Sequence, residues 1–257
     1  MARISDPFDA VYYINLQSRG DRKRQFLEDH NDSIIDHKKL KRIEAFNGLD
    51  YLKNLSSEQR LQYEKCDCIH KKITNNILRA SHLESYSFAF LDSLKNNYKK
   101  ILILEDDAVP NFTDPATFLF YESQEDYNAL WLGGLVDGKL EKHTDYMYKL
   151  NNNIVASHAI AYNFNQELFS FFSQFANNFD NAYRYLDSKF STTFKDGSTL
   201  PTFGATDLIL KNLVTTKYKC FIPEKIIYKT RETHSDIEGG LNKNDGDHMI
   251  REFQKHT

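Results

Sequence analysis

One stretch, KKILILEDDAVP at residues 99–110, constrains the fold of this 257-residue chain more than any other. Ile101, Leu102, Ile103 and Leu104 are apolar at every position, so neither face of the pleat is left for water. That is the pattern of a strand covered on both sides within a mostly parallel sheet. Glu105, Asp106 and Asp107 follow at once. Ligands of open α/β sheets gather at the carboxyl ends of such strands. If the chain stays extended, Glu105 and Asp107 project to the same side. Two ionised carboxylates converging there repel, and one takes up a proton unless a cation lies between them. Carboxylate oxygens suit Mg2+ or Mn2+, and Mg2+ keeps room for water and phosphate oxygens. The plainer alternative is an acidic turn or helix N-cap with no ligand.

The remainder of the chain reads as alternating strands and helices. DAVYYINLQSRGDRKRQF gives a strand at 11–16, a polar turn, and a helix capped by Ser18 or Asp21 with Arg22, Lys23 and Arg24 on its exposed face. A strand followed at once by a helix is the opening unit of an α/β fold. RIEAFNGLD at 42–50 predicts a second strand ending in an Asn47-Gly48 turn. Residues 51–80 are polar and weakly periodic. Leu83, Tyr86, Phe90 and Leu94 recur at helical spacing, and Asn96-Asn97 ends that helix. Strands are expected at 129–135 and 153–164, a helix at 166–179, a loop at 186–206, a helix over DLILKNLVTT and a strand over YKCFIP. No repeat or sharp boundary divides the chain, which reads as a single domain over 1–257 with a flexible tail from about residue 238.

Composition narrows the function class. The formal charge of −3 is too balanced for a general polyanion binder. The basic run HKKLKRIE at 37–44 reads as a solvated face, with lipid headgroups or an acidic partner as the alternative, so membrane-surface association stays open. No apolar run reaches membrane-spanning length and no secretory signal is read at the start. Three cysteines argue against a disulfide framework and for a reducing, cytoplasmic setting. Cys66, Cys68 and His70 in CDCIH lack the second ligand pair of a structural zinc site and read as a surface loop.

Several short motifs occur in a fixed order: VYYINLQSRGDRKRQF, RIEAFNGLD, ASHLESY, ILILEDDAVP, NALWLGG, AIAYNF and a later SDI at 235–237. In this order they resemble glycosyltransferase family 25, the lipooligosaccharide and procollagen galactosyltransferases. The resemblance implies a GT-A-like nucleotide-sugar-binding fold and an inverting transfer of galactose or glucose from a UDP-sugar to a hydroxyl of a saccharide or glycoconjugate. It implies that the EDD turn is the counterpart of a DxD motif. Asp107 would then bind Mn2+ or Mg2+, Glu105 would hold the ribose or a metal-bound water, and Asp106 would stand beside the nucleotide. Asn15, Leu16 and Arg19 would contact the nucleotide, with Arg22 or Arg24 as weaker choices against a plain exposed-charge reading. Ser81 and His82 match the family's SH pair, His82 reading equally as a structural histidine. Asp207 is the candidate base, or else a helix N-cap. Asp137 in GGLVDG is second choice, with a simple turn as its commoner reading. His234 and Asp236 could reach the metal or diphosphate from the tail. Other readings are a hydroxylysine glycosyltransferase of the same fold, a non-catalytic nucleotide- or carbohydrate-binding module, and a metal-dependent hydrolase. No nucleic-acid partner is expected.

Overall fold

The computed structural model describes residues 2–64, 73–136, 138–193, 199–202, 204–231, 234–235, 240–241 and 254. Its centre is an eight-stranded sheet built from β1 (Ala10–Asn15), β2 (Leu40–Glu44), β3 (Lys100–Glu105), β5 (Ala129–Val136), β6 (Glu141–Lys142), β7 (Met147–Lys149), β8 (Ile154–Asn163) and β11 (Cys220–Pro223). The order across it is β2-β1-β3-β8-β5-β11-β7-β6. β1 pairs in parallel with β2 and β3, and β5 with β11, whereas β8 lies antiparallel between β3 and β5. Most strands therefore point one way, with β8 and β7 reversed. Two further short strands, β4 (Ala108–Pro110) and β12 (Tyr228–Thr230), pair across the end of the sheet where the acidic residues emerge.

Alternation along each strand divides the core in two. Tyr12, Ile14, Ile101, Ile103, Trp131, Ile160 and Tyr162 join one buried cluster, while Val11, Tyr13, Leu102, Leu104, Leu130 and Leu132 join the other. The first face is covered by α4 (Ile73–Asn96), α6 (Gln166–Ser173) and α7 (Phe179–Ser188), and the second by Phe26 of α1 (Gly20–Asp29) and Phe118 of α5 (Pro115–Glu122). Phe90 of α4 stacks on Phe172 of α6 with centroids 4.6 Å apart, and the Tyr86 and Tyr162 hydroxyls meet at 2.8 Å. A strand apolar on both faces is thus explained by helices on both sides.

Short polar side chains set the helix starts. Asn47 accepts from the Leu49 and Asp50 amides to open α2 (Gly48–Asn54), and Asn165 and Asn178 open α6 and α7 in the same way. The expected Asn47-Gly48 turn is therefore a helix cap, and the second strand stops at Glu44. The expected helix over 166–179 ends at Ser173. Asn177, with φ of 57°, and the cap at Asn178 break the chain before α7. The polar stretch 51–80 also holds α3 (Ser57–Glu64) and the start of α4, while Cys66, Cys68 and His70 lie outside the described residues. The expected loop at 186–206 contains the end of α7 and the hairpin of β9 (Phe190–Thr193) and β10 (Thr199–Thr202). The helix over DLILKNLVTT is present as α8 (Thr206–Ile209), a π-helical turn over Leu210–Val214 and α9 (Thr215–Lys217).

The basic run at 37–44 is largely tied to the protein itself. Lys39 Nζ donates to the carbonyls of Ser5, Asp6 and Phe8 at 3.0, 3.1 and 2.7 Å, Lys41 pairs with Asp92 at 2.8 Å, and Arg42 donates to Asn15 at 3.2 Å. No helix among the described residues is long and apolar enough to cross a membrane.

Candidate functional site at the acidic turn

The strand β3 ends at Glu105, and Asp106 and Asp107 occupy the turn that leads into β4. The extended continuation expected from the sequence does not occur. The turn nevertheless brings all three acids to one pocket of about 450 Å3, lined also by Asn15, Leu16, Arg22, Gly48, Lys53, Ser81, His82 and Ser85. It lies at the carboxyl ends of β1, β2 and β3, where α2 crosses α4. That crossing is close: a Cβ on Gly48 would collide with the Ser81 hydroxyl, so glycine is what lets the helices meet.

Each acid has a different environment. Asp106 is buried, accepting from Arg22 Nη1 at 3.0 Å and from Asn15 Nδ2 at 2.7 Å. Burial raises its affinity for a proton, against the pull of Arg22 and Asn15. Arg22 is therefore no exposed helix charge: it is 8% exposed and reaches across to the acidic turn, whereas Arg24 stays in solvent. Glu105 faces His82, with Oε1 3.3 Å from Nε2. On the other side of the ring Nδ1 lies 2.8 Å from Thr206 Oγ1. Burial alone would make the imidazole harder to protonate. Contact with Glu105 and the fields of Asp207 and Asp107 reverse this, so the protonated form is favoured beyond its usual range.

Asp107 is the acid left over. Its Oδ1 is buried with no hydrogen-bond partner, and its carboxyl is pushed up to about 7 by burial first, then by the charges of Glu105 and Asp106. Its backbone carbonyl is held from outside, accepting from the Arg231 amide at 2.8 Å. A carboxylate with one buried, unpartnered oxygen beside a second carboxylate is the arrangement a cation would relieve. Among the described residues no group of three or more His, Cys, Asp or Glu side chains is arranged to hold a metal ion. Two carboxylates completed by water and substrate oxygens is the ligand pattern of a magnesium-like ion at a phosphate.

The remaining expected residues divide. Asn15 lines the pocket, but it braces the turn, donating to Asp106 and to the Arg19 carbonyl and accepting from Arg42. Leu16 lines the same wall. Arg19 is the N-cap position of α1 and pairs with Asp21 at 3.0 Å, while neither Ser18 nor Asp21 caps that helix. Ser81 lines the pocket with its hydroxyl donating to Ile77 O at 2.7 Å. Asp207 sits in the first turn of α8, next to the Thr206 that meets His82. The N-cap is Ala205, so Asp207 is not the helix cap. His234 is placed only by its backbone, pairing with Leu241, and Asp137 and Asp236 lie outside the described residues. Sequence reasoning missed Lys53, a cation on the pocket rim paired with Asp50 at 3.1 Å. Its one available signal was an i,i+3 charge pair, which surface helices carry routinely.

No protein-family model and no curated protein matches the chain. Among solved structures it is similar to the mannose-1-phosphate geranyltransferase from Thermus thermophilus, at 10% identity and a TM-score of 0.40, over 83% of this chain and 72% of that one. A likeness this distant assigns no activity.

Proposed function

We propose that this chain is a metal-dependent, inverting glycosyltransferase that moves a hexose, galactose or glucose, from a UDP-sugar to a hydroxyl of a saccharide or glycoconjugate. The observation that supports it most is the buried, unpartnered Oδ1 of Asp107 next to Glu105, in a pocket at the strand ends that also presents Arg22 and Lys53. The ordered resemblance to family 25 transferases supports the same reading and a GT-A-like fold.

Asp107 and Glu105 would hold Mn2+ or Mg2+ together with diphosphate oxygens; when bound, the ion offsets charge gathering on the departing UDP. Asp106 keeps the turn in place through Arg22 and Asn15, so the other two acids meet a ligand from fixed positions. Leu16 and Asn15 form the wall against the nucleotide, and Lys53 adds a second positive charge at the rim. His82 bridges Glu105 and the start of α8, which places Asp207 beside the site. Asp207 takes the proton from the acceptor hydroxyl.

Two measurements test this. Asp207→Asn keeps UDP binding and lowers turnover by about 100-fold or more, the weight of a general base, read as UDP release from UDP-galactose or UDP-glucose. Near-normal turnover in that variant would move the base elsewhere. A non-catalytic binding module is the second reading, supported by Asp207 standing outside the residues that line the pocket. It predicts metal-dependent UDP binding by the parent chain with no UDP release from any donor.

A further inference from the structure

A second chamber, of about 600 Å3, opens beside the acidic pocket and shares Ser18, Ala45, Phe46, Asn47 and Asp50 with it. Its lining has a distinct chemistry. Glu44, Asp50 and Glu84 supply three carboxyls and Gln17, Asn47 and Asn177 three amides, with the Phe46 ring on one wall. Among its described lining residues there is no lysine or arginine. Glu84 is the unusual member: it is 5% exposed, lines the chamber from α4, and its Oε2 is buried with no hydrogen-bond partner. A buried polar atom of this kind is costly unless a ligand or water satisfies it.

We propose that this chamber is the subsite for an uncharged saccharide ring, the acceptor of the transfer, with Glu84 as a specificity-determining contact. The identification as acceptor rests on the transferase reading above; the choice of ligand chemistry does not. Asp50 is paired with Lys53 and Glu44 stands 3.9 Å from Arg42, which leaves the buried Glu84 as the carboxyl with no cation, an environment that favours a neutral ligand over phosphates and sugar acids. Ionised carboxylates accept hydrogen bonds and a protonated one also donates, so the lining calls for a ligand that offers both, and a ring bearing several hydroxyls does so. A pyrimidine base, with two carbonyls and one N–H, presents mostly acceptors and suits the chamber poorly. Asn47 is committed to the α2 cap, so the Gln17 and Asn177 amides are the ones to serve the same hydroxyls, and an aromatic ring gives an apolar platform for a sugar face. Burial pushes the Glu84 carboxyl up to about 7, against the opposing pull of the Asn177 backbone amide, so near neutral pH it both donates and accepts.

Saturation-transfer NMR on the full chain, without metal or UDP, tests this with methyl β-galactoside, methyl β-glucoside, galacturonic acid and uridine as probes. At least one neutral glycoside binds, galacturonic acid binds about tenfold more weakly, and uridine does not displace the glycoside. Glu84→Ala weakens glycoside binding about tenfold, the upper scale of one ordinary hydrogen bond. Gln17→Ala, an exposed loop change that cannot unfold the core, weakens it several-fold. Both variants bind UDP with Mn2+ as the parent does. Displacement by uridine, equal binding of galacturonic acid, no glycoside binding, or glycoside binding indifferent to both substitutions would each overturn the proposal. Failure of UDP with Mn2+ to bind the parent chain would instead overturn the transferase reading. Glycoside binding lost in Glu84→Ala would then still support the saccharide chamber.

Discussion

Asp106 and Asp107 are neighbours with opposite duties, and substitution separates them. Asp106 closes a buried pair with Arg22 at 3.0 Å. Removing one partner of such a pair leaves the other charge stranded, so Asp106→Ala and Arg22→Ala each lower unfolding free energy by about 3–5 kcal/mol. Denaturant titration reads this, and a loss below about 1 kcal/mol would remove Asp106 from its bracing role. Asp107→Asn behaves differently. It takes a charge away from Glu105 and Asp106 without breaking a hydrogen bond at Oδ1, so the variant is at least as stable as the parent while losing metal-dependent UDP binding. A variant that is less stable yet still binds would contradict the assignment. The acidic cluster itself was legible, because three carboxylates after an all-apolar strand need partners. The identity of the partners was not. Arg22 sits between Asp21 and the exposed Lys23 and Arg24 in sequence, and the carboxylate it meets is 84 positions away. His82 and Glu105 likewise meet only through the crossing of α4 over the end of β3.

At the scale of elements, the long apolar strands β3, β5 and β8 could be read from sequence because both of their faces are buried. Their directions could not, since an all-apolar strand looks the same whether its neighbours run parallel or antiparallel. The helices α2 and α3 escaped notice for a related reason: their residues are mostly exposed or half-buried, so little periodicity marks them. Packing between elements creates one titratable weakness. His30, at the end of α1, is buried between the Phe26 and Tyr228 rings, with centroids 4.1 and 5.7 Å away. Its Nδ1–H donates to Phe26 O at 2.9 Å, and Nε2 has no partner. Burial, with a small push from Arg231, lowers its pKa from 6.5 to about 4. In the unfolded chain His30 gains its proton near 6.5 and in the folded one only near 4, so between these values the unfolded state binds more protons. The contribution is fully present above about 6.5 and is lost as pH falls toward 4, on the order of 3 kcal/mol in total. Melting temperatures followed from pH 7 to 4 show a steeper decline for the parent than for His30→Phe. Parallel curves would mean that the ring is not held neutral.

For the molecule as a whole, the separation of duties is spatial. The sheet and its two helical layers form the core, and β4 and β12 clasp each other across its edge. From that clasp the Arg231 amide holds the Asp107 carbonyl, and its side chain reaches Gln25 at 2.9 Å and pairs with Asp29 of α1. The acidic turn is thus fixed from three directions, by α1 through Arg22, by α4 through His82 and by the chain after β12. Such rigidity leaves Oδ1 of Asp107 poised for a ligand rather than free to turn away and find a partner of its own. Calorimetric titration of UDP into the full chain, with Mn2+ and again with a chelator, tests this account most directly. UDP binds with Mn2+ and loses at least about tenfold in affinity with the chelator, and Asp107→Asn removes the difference. Binding of equal strength with and without metal, or no binding in either case, would contradict it.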